Sequence, residues 1–253
     1  FDATDDFKPL VIDKTAPESA VQPLPVTSES TAIQVTWTAS DNLAGLAAFS
    51  LQHYSSVTPS WQDAGQFPAK TRSAWIIGAP GETHQFRLSA VDLAGNVETF
   101  PASAEAATSI GSCTAPDAWD GTLAGDNDVQ YAGTITYGGA LQSRNFCRLG
   151  DTDWVKVELS ANLPVQIMAL PAHGSTAPAL SLYRSDGGSL TLIDSRAPAG
   201  FPAPAQVIFT PMQSGTYYLR LSHIDSRIAG NAVSYKLYVG PPQNLYFPTM
   251  LRR

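Results

Sequence analysis

Residues 33 to 38 read Ile-Gln-Val-Thr-Trp-Thr, apolar and polar side chains in strict alternation. A run of that period can bury one face only as an extended strand within a sheet. Runs of similar length recur at 49–54, 73–77 and 85–91, separated by turn clusters such as Asp41-Asn42-Leu43-Ala44-Gly45 and Ala79-Pro80-Gly81, whose residue types favour turns. Strands this closely spaced, with no helical period between them, predict a β-sandwich. A second series covers 131–136, 153–159, 165–169, 179–183, 190–193, 207–209, 215–222 and 233–239, with Asp186-Gly187-Gly188 as a hairpin turn. The expected fold class is all-β, two tandem β-sandwich domains, and 253 residues suffice for both to bury a core.

The expected boundaries are an extended arm over 1–13, a first module over 14–108, a second over 109–240 and a C-terminal tail over 241–253. The small, polar stretch 101–116 reads as the linker, with Ala104 to Ala107 able to make one helical turn. Charged residues make up 15% of the chain, against roughly 25% in an average soluble domain, which suits short strands and many turns. A net charge of −7 with no Lys/Arg cluster argues against nucleic acid as a partner, because nothing neutralises a phosphate backbone. No apolar run reaches the length of a membrane span. Cys113 and Cys147 are the only cysteines. Without a C-x-x-C spacing they suit a single disulfide rather than a metal site, worth roughly 3.8 kcal/mol in the chain-entropy account, and they imply an extracellular or cell-surface location.

Two stretches carry resemblances. V-T-W-T-A-S-D-N-L-A-G-L from Val35, a Gln52-His53-Tyr54 strand, Trp61 and G-E-T-H-Q-F-R-L-S-A-V-D-L-A-G-N-V-E from Gly81 resemble the fibronectin type III-like and immunoglobulin-like modules of bacterial surface proteins. In that family the position of His84 is usually a Tyr whose hydroxyl ties down the chain corner, so the resemblance implies that this corner is held differently here. Asp117 to Asp120, Asn145-Phe146-Cys147, Gly150 to Val155, Leu182-Tyr183 and G-T-Y-Y-L-R-L from Gly215 resemble the bacterial pre-peptidase C-terminal (PPC) domain. This family is a jelly-roll-like sandwich that accompanies secreted peptidases and also occurs in surface proteins without one. Neither resemblance implies catalysis.

The residues themselves offer little chemistry for catalysis. His53, His84, His173 and His223 come with no G-x-S-x-G elbow, no H-E-x-x-H and no phosphate-cradling loop, so no catalytic residue and no required cofactor are expected. Asp126, Asn127 and Asp128 in one loop and Asp151 and Asp153 in another could supply oxygen ligands to Ca²⁺, although Asp and Asn also simply close turns. The pairs Asp41-Asn42 and Asp92-Asn96 pose the same choice. Trp61, Trp75 and Trp119 could form a glycan platform, whereas Trp37 and Trp154, inside strand patterns, are expected in the core. Leu10, Val11 and Ile12 in the arm and Leu245, Tyr246 and Phe247 in the tail are candidate assembly residues.

These features lead to the expectation of a non-catalytic secreted structural protein, a filament or surface-assembly subunit joined to identical subunits through its terminal segments by strand addition. The alternatives are the accessory region of a secreted peptidase, or a carbohydrate or matrix adhesion module. No Asn-x-Ser/Thr sequon is present, so Asn-linked sugar is not expected.

Overall fold

The structure, a computed structural model, describes residues 12–120 and 125–243. The chain forms two compact units that meet in sequence at Ile110 and Gly111, with residues 29–32 grouping with the second. Leu10, Val11, Leu245, Tyr246 and Phe247 lie outside the described residues, and Ile12 is exposed.

The first unit contains strands β1 (Glu18–Val21), β2 (Thr27–Ser28), β3 (Ala32–Ser40), β4 (Leu46–Ser55), β5 (Gln62–Pro68), β6 (Ser73–Ile77), β7 (Thr83–Asp92) and β8 (Ala106–Ile110). They form a three-stranded sheet in the order β1-β3-β6 and a five-stranded sheet in the order β2-β8-β7-β4-β5. The alternation read in β3 sets what is buried: Ile33, Val35 and Trp37 join Phe49, Leu51, Phe86 and Leu88 in the core between the sheets. Trp37 meets Phe49 edge-on with ring centroids 5.8 Å apart, a geometry that suits the quadrupoles of both rings.

One sequence expectation fails here. Ala106–Ile110, read as part of the linker, is a strand bonded to β7 and, in parallel, to β2. Its Ala, Thr and Ser side chains give too weak a hydrophobic alternation to announce it, yet Ala106 and Ile110 are buried.

Among its described residues the second unit contains two single-turn 3₁₀ helices, η1 (Gly125–Asn127) and η2 (Val129–Tyr131), and nine strands. These are β9 (Gly133–Thr134), β10 (Gln142–Asn145), β11 (Thr152–Leu159), β12 (Val165–Pro171), β13 (Pro178–Asp186), β14 (Ser189–Arg196), β15 (Ala205–Phe209), β16 (Gly215–His223) and β17 (Ser234–Gly240). Their sheets run β10-β17-β12-β15 and β14-β13-β16-β11-β9. The strand expected over 131–136 is largely replaced by η2 and a two-residue β9, because Asp128 caps the turn by accepting a bond from the Gln130 N–H at 3.0 Å. The hairpin at Gly187-Gly188 forms as read: both glycines have positive φ, 57° and 95°, as a tight primed turn requires, and Asp186 pairs with Ser189. Cys113 and Cys147 are joined in a disulfide with Cα atoms 5.4 Å apart.

At His84, where the resemblance implies a departure from tyrosine, two imidazoles meet. His84 is buried, its Nδ1 lies 2.7 Å from His53 Nε2, and Glu82 Oε2 is 3.2 Å from its other nitrogen. Burial, and then repulsion from His84, hold the His53 pKa down to about 4, and burial lowers that of His84 as well despite the nearby Glu82. The unfolded chain, with histidines near 6.5, therefore binds more protons between about pH 6.5 and 4, so stability present above 6.5 is lost as the pH falls through that window. The melting temperature of the first module should drop across this range, and His53→Gln should flatten the slope in a pH series of thermal melts.

Candidate functional site

Two features of the second unit have chemical character, and strand β11 contributes to both. Successive residues of a strand point to opposite faces. In β11 the inner series is Asp153, Val155, Val157 and Leu159, all buried, and the outer series runs through Trp154, Lys156 and Glu158.

The inner feature is a group of buried carboxylates. Asp151 and Asp153 flank the start of β11, Asp126 sits in η1 and Asp120 lies seven residues after Cys113; all four are buried. One carboxylate oxygen each from Asp120, Asp151 and Asp153 lies within 4.8 Å of the others. Asp126 is ion-paired with Arg144, an arginine only 1% exposed whose guanidinium also stacks 4.2 Å from the Trp119 ring. Asp153 accepts a hydrogen bond from the Tyr235 hydroxyl. Asp151 accepts from the backbone N–H groups of Cys147, at 2.7 Å, and Thr152, at 3.1 Å.

These bonds leave Asp120 Oδ2, Asp126 Oδ1 and Asp153 Oδ1 buried without a hydrogen-bond partner, and an unpaired buried charge is expensive. Burial, followed by the neighbouring charges of Asp151, Asp117 and Asp126, pushes the Asp120 pKa up to about 7. Burial also raises Asp151, raises Asp126 in spite of Arg144, and raises Asp153 well above the usual carboxylate range.

The five ligands expected from the sequence divide. Asp126, Asp151 and Asp153 come together. Asn127 stands at their rim, accepting from the Thr152 N–H at 2.9 Å. Asp128 is exposed and serves as the cap of η2. Asp120 was missed, since 31 positions separate it from Asp151 in the sequence and contacts distant along the chain, among them the disulfide and the Asp117–Asn145 bonds, both near 3.1 Å, bring the segments together. In the first unit Asp41 accepts from the N–H groups of Leu43 and Gly45, at 3.0 and 2.7 Å, and Asp92 from Asn96. Those bonds close turns, and one carboxylate oxygen each from Asp41, Asp92 and Asp13 also lies within 4.8 Å of the others, with Asp41 Oδ1 left without a partner.

The outer feature corrects a sequence expectation. Trp154, read as core, is half-buried on the solvent side of the five-stranded sheet. Its register partner is Arg220 on β16, which in turn pairs with Ser181 on β13; the next row across is Lys156, Tyr218 and Tyr183. Trp154 and Tyr183 belong to strands on either side of β16, yet their ring centroids are 5.5 Å apart. Three rings and two exposed cations thus share one flat face. Of the other tryptophans, Trp61 lies under the Arg87 guanidinium at 4.3 Å and Trp119 under Arg144, while Trp75 is half-buried in β6.

No protein-family model matches the chain, and no curated protein sequence matches it. Solved structures do compare with it. The pre-peptidase C-terminal domain of a collagenase from Bacillus anthracis is 20% identical, with a TM-score of 0.31, over 43% of this chain and 93% of that one. A segment of two fibronectin type III domains from chicken tenascin is 9% identical, with a TM-score of 0.27, over 89% and 98%. A carbohydrate-binding module of the β-sandwich superfamily is 12% identical, with a TM-score of 0.28, over 90% and 97%. The two families that the sequence resembles are both represented among these neighbours.

Removing one partner of a buried ion pair strands the other, at a cost of about 3–5 kcal/mol, whereas replacing both with apolar groups relieves it. Arg144→Met should destabilise the second module by that amount in urea denaturation, and adding Asp126→Leu should recover part of the loss.

Proposed function

We propose that the chain is a non-catalytic, extracellular binding region, an accessory or adhesion unit that attaches to a surface or matrix polymer. The observation that carries this reading is the outward face of Trp154, Tyr183 and Tyr218. Aromatic side chains bury the most area when they turn inward, and here three lie half-buried together on the outer side of one sheet. The disulfide supports the extracellular setting.

The same reading assigns the carboxylate group to a bound Ca²⁺. The residues fit it: hard oxygen donors, three of them within the span that ligands on opposite sides of one ion would occupy at about 2.3–2.6 Å each, and orphaned oxygens that need a partner. Asp120, Asp151 and Asp153 would hold the ion, with Arg144 restraining Asp126 beside them. The ion would supply the positive charge that Arg144 alone does not, tying the segment after Cys113 to the start of β11. Its role is structural.

A second reading, self-assembly by strand addition, is favoured by one observation. β14 is the outer strand of its sheet and exposes Leu192 and Ile193, and an apolar edge of this kind templates pairing with another chain. Sedimentation velocity on the wild type and on Ile193→Lys tests it: concentration-dependent multimers lost in the variant support assembly, and a monomer at all concentrations removes it.

For the ion, calorimetric titration should give one Ca²⁺ site, and Ca²⁺ at about 100 times its Kd should add about 2.7 kcal/mol of stability. Asp120→Asn should remove both the heat and the chelator-sensitive part of the melting temperature. Unchanged melting with and without chelator would leave the acids as an ion-free buried network. For the binding face, Trp154→Ala should abolish retention on immobilised polysaccharides or matrix protein while leaving the melting temperature within a few degrees of wild type.

A further inference from the structure

The charge on the aromatic face narrows what it can bind. The chain carries a net −7, yet the outer rows around the rings hold Arg220 beside Trp154 and Lys156 beside Tyr218, both exposed. Neither cation enters any of the ion pairs among the described residues, which use Arg144, Arg184, Arg196, Arg227 and His84. The acid on the same face, Glu158, stands one row further along and accepts a bond from the Thr216 hydroxyl. Two unpaired cations flanking three rings, on an otherwise acidic protein, are complementary to an anionic partner.

The form of the face selects among anionic partners. β16 lies between β11 and β13, so its backbone N–H and C=O groups are spent in ladders on both sides, and an extended peptide has no edge here to pair with. What remains is side chain: flat rings, two cations and the Ser181 hydroxyl. A pyranose presents an apolar C–H face that can lie on an aromatic ring, and its rim of hydroxyls and acidic groups reaches donors set around that ring.

We propose that this face binds an acidic polysaccharide, its sugar faces on Trp154, Tyr183 and Tyr218 and its carboxylate or sulfate groups on Arg220 and Lys156. This rests on the reading of the same face as a binding surface and adds the chemical class of the ligand. Because both cations are exposed, their contribution is screened by salt.

The test uses the full chain against immobilised hyaluronan, which carries a uronate in every repeat, with immobilised pullulan as a neutral glycan and gelatin as an extended protein, all read by biolayer interferometry. The expected result is binding to hyaluronan that weakens as salt is raised, falls at least tenfold in Lys156→Gln/Arg220→Gln and is lost in Trp154→Ala, with thermal melts confirming that each variant folds. If Trp154→Ala does not fold, Tyr218→Ala serves in its place. Equal affinity for pullulan, or hyaluronan affinity unchanged in the double variant, overturns the acidic class while the binding reading stands. Capture by gelatin alone, lost in Trp154→Ala, overturns the glycan class and again leaves the binding reading. Silence on all three surfaces overturns both.

Discussion

The second module is organised around a charge imbalance in its interior. Arg144, almost wholly buried, is set against Asp126, while Asp120, Asp151 and Asp153 are buried nearby. A protein interior tolerates carboxylates only when they are neutralised by protons, a counter-charge or a cation. The backbone N–H bonds from Cys147 and Thr152 to Asp151 offset part of its cost, as does the Tyr235 hydroxyl at Asp153, yet three oxygens are left over. The disulfide, the turn at η1 and the start of β11 all converge on this group, so the way its charge is balanced governs how firmly that end of the sandwich is held.

The first module meets a related problem with different groups. Where the family it resembles places a tyrosine hydroxyl, this chain buries His84 and stacks it against His53 at a centroid distance of 4.9 Å. The pair shares one hydrogen bond, so both rings can remain neutral. The arrangement suits neutral pH and is exposed to acid, a sensitivity that a phenol, which carries no charge in that range, would not have.

How much of this could be read beforehand depends on range along the chain. Local signals were legible: the alternation of Ile33, Val35 and Trp37 fixed their burial, Gly187-Gly188 gave the hairpin, and two cysteines gave the disulfide. Trp154 was legible in principle and misread, because it shares its strand parity with Lys156 and Glu158, which marks the solvent side, whereas Asp153 shares parity with Val155 and Val157 and so had to be inside. Asp120 was not legible at all. Its place in the acid group depends on contacts between segments far apart in sequence, and no spacing rule connects them. β8 was hidden for the opposite reason, its side chains being too small to produce a pattern.

Strand β11 joins the two features of the second module through neighbouring residues. Asp153 points into the acid group and Trp154 points out to the ring face, and the Thr152 N–H that starts the strand is held by both Asp151 and Asn127. A recognition face on a rigid sheet binds well because little ordering remains to be done when the ligand arrives. An ion at the inner side would fix the first residues of β11 in register with β16, and with them the placement of Trp154 against Arg220.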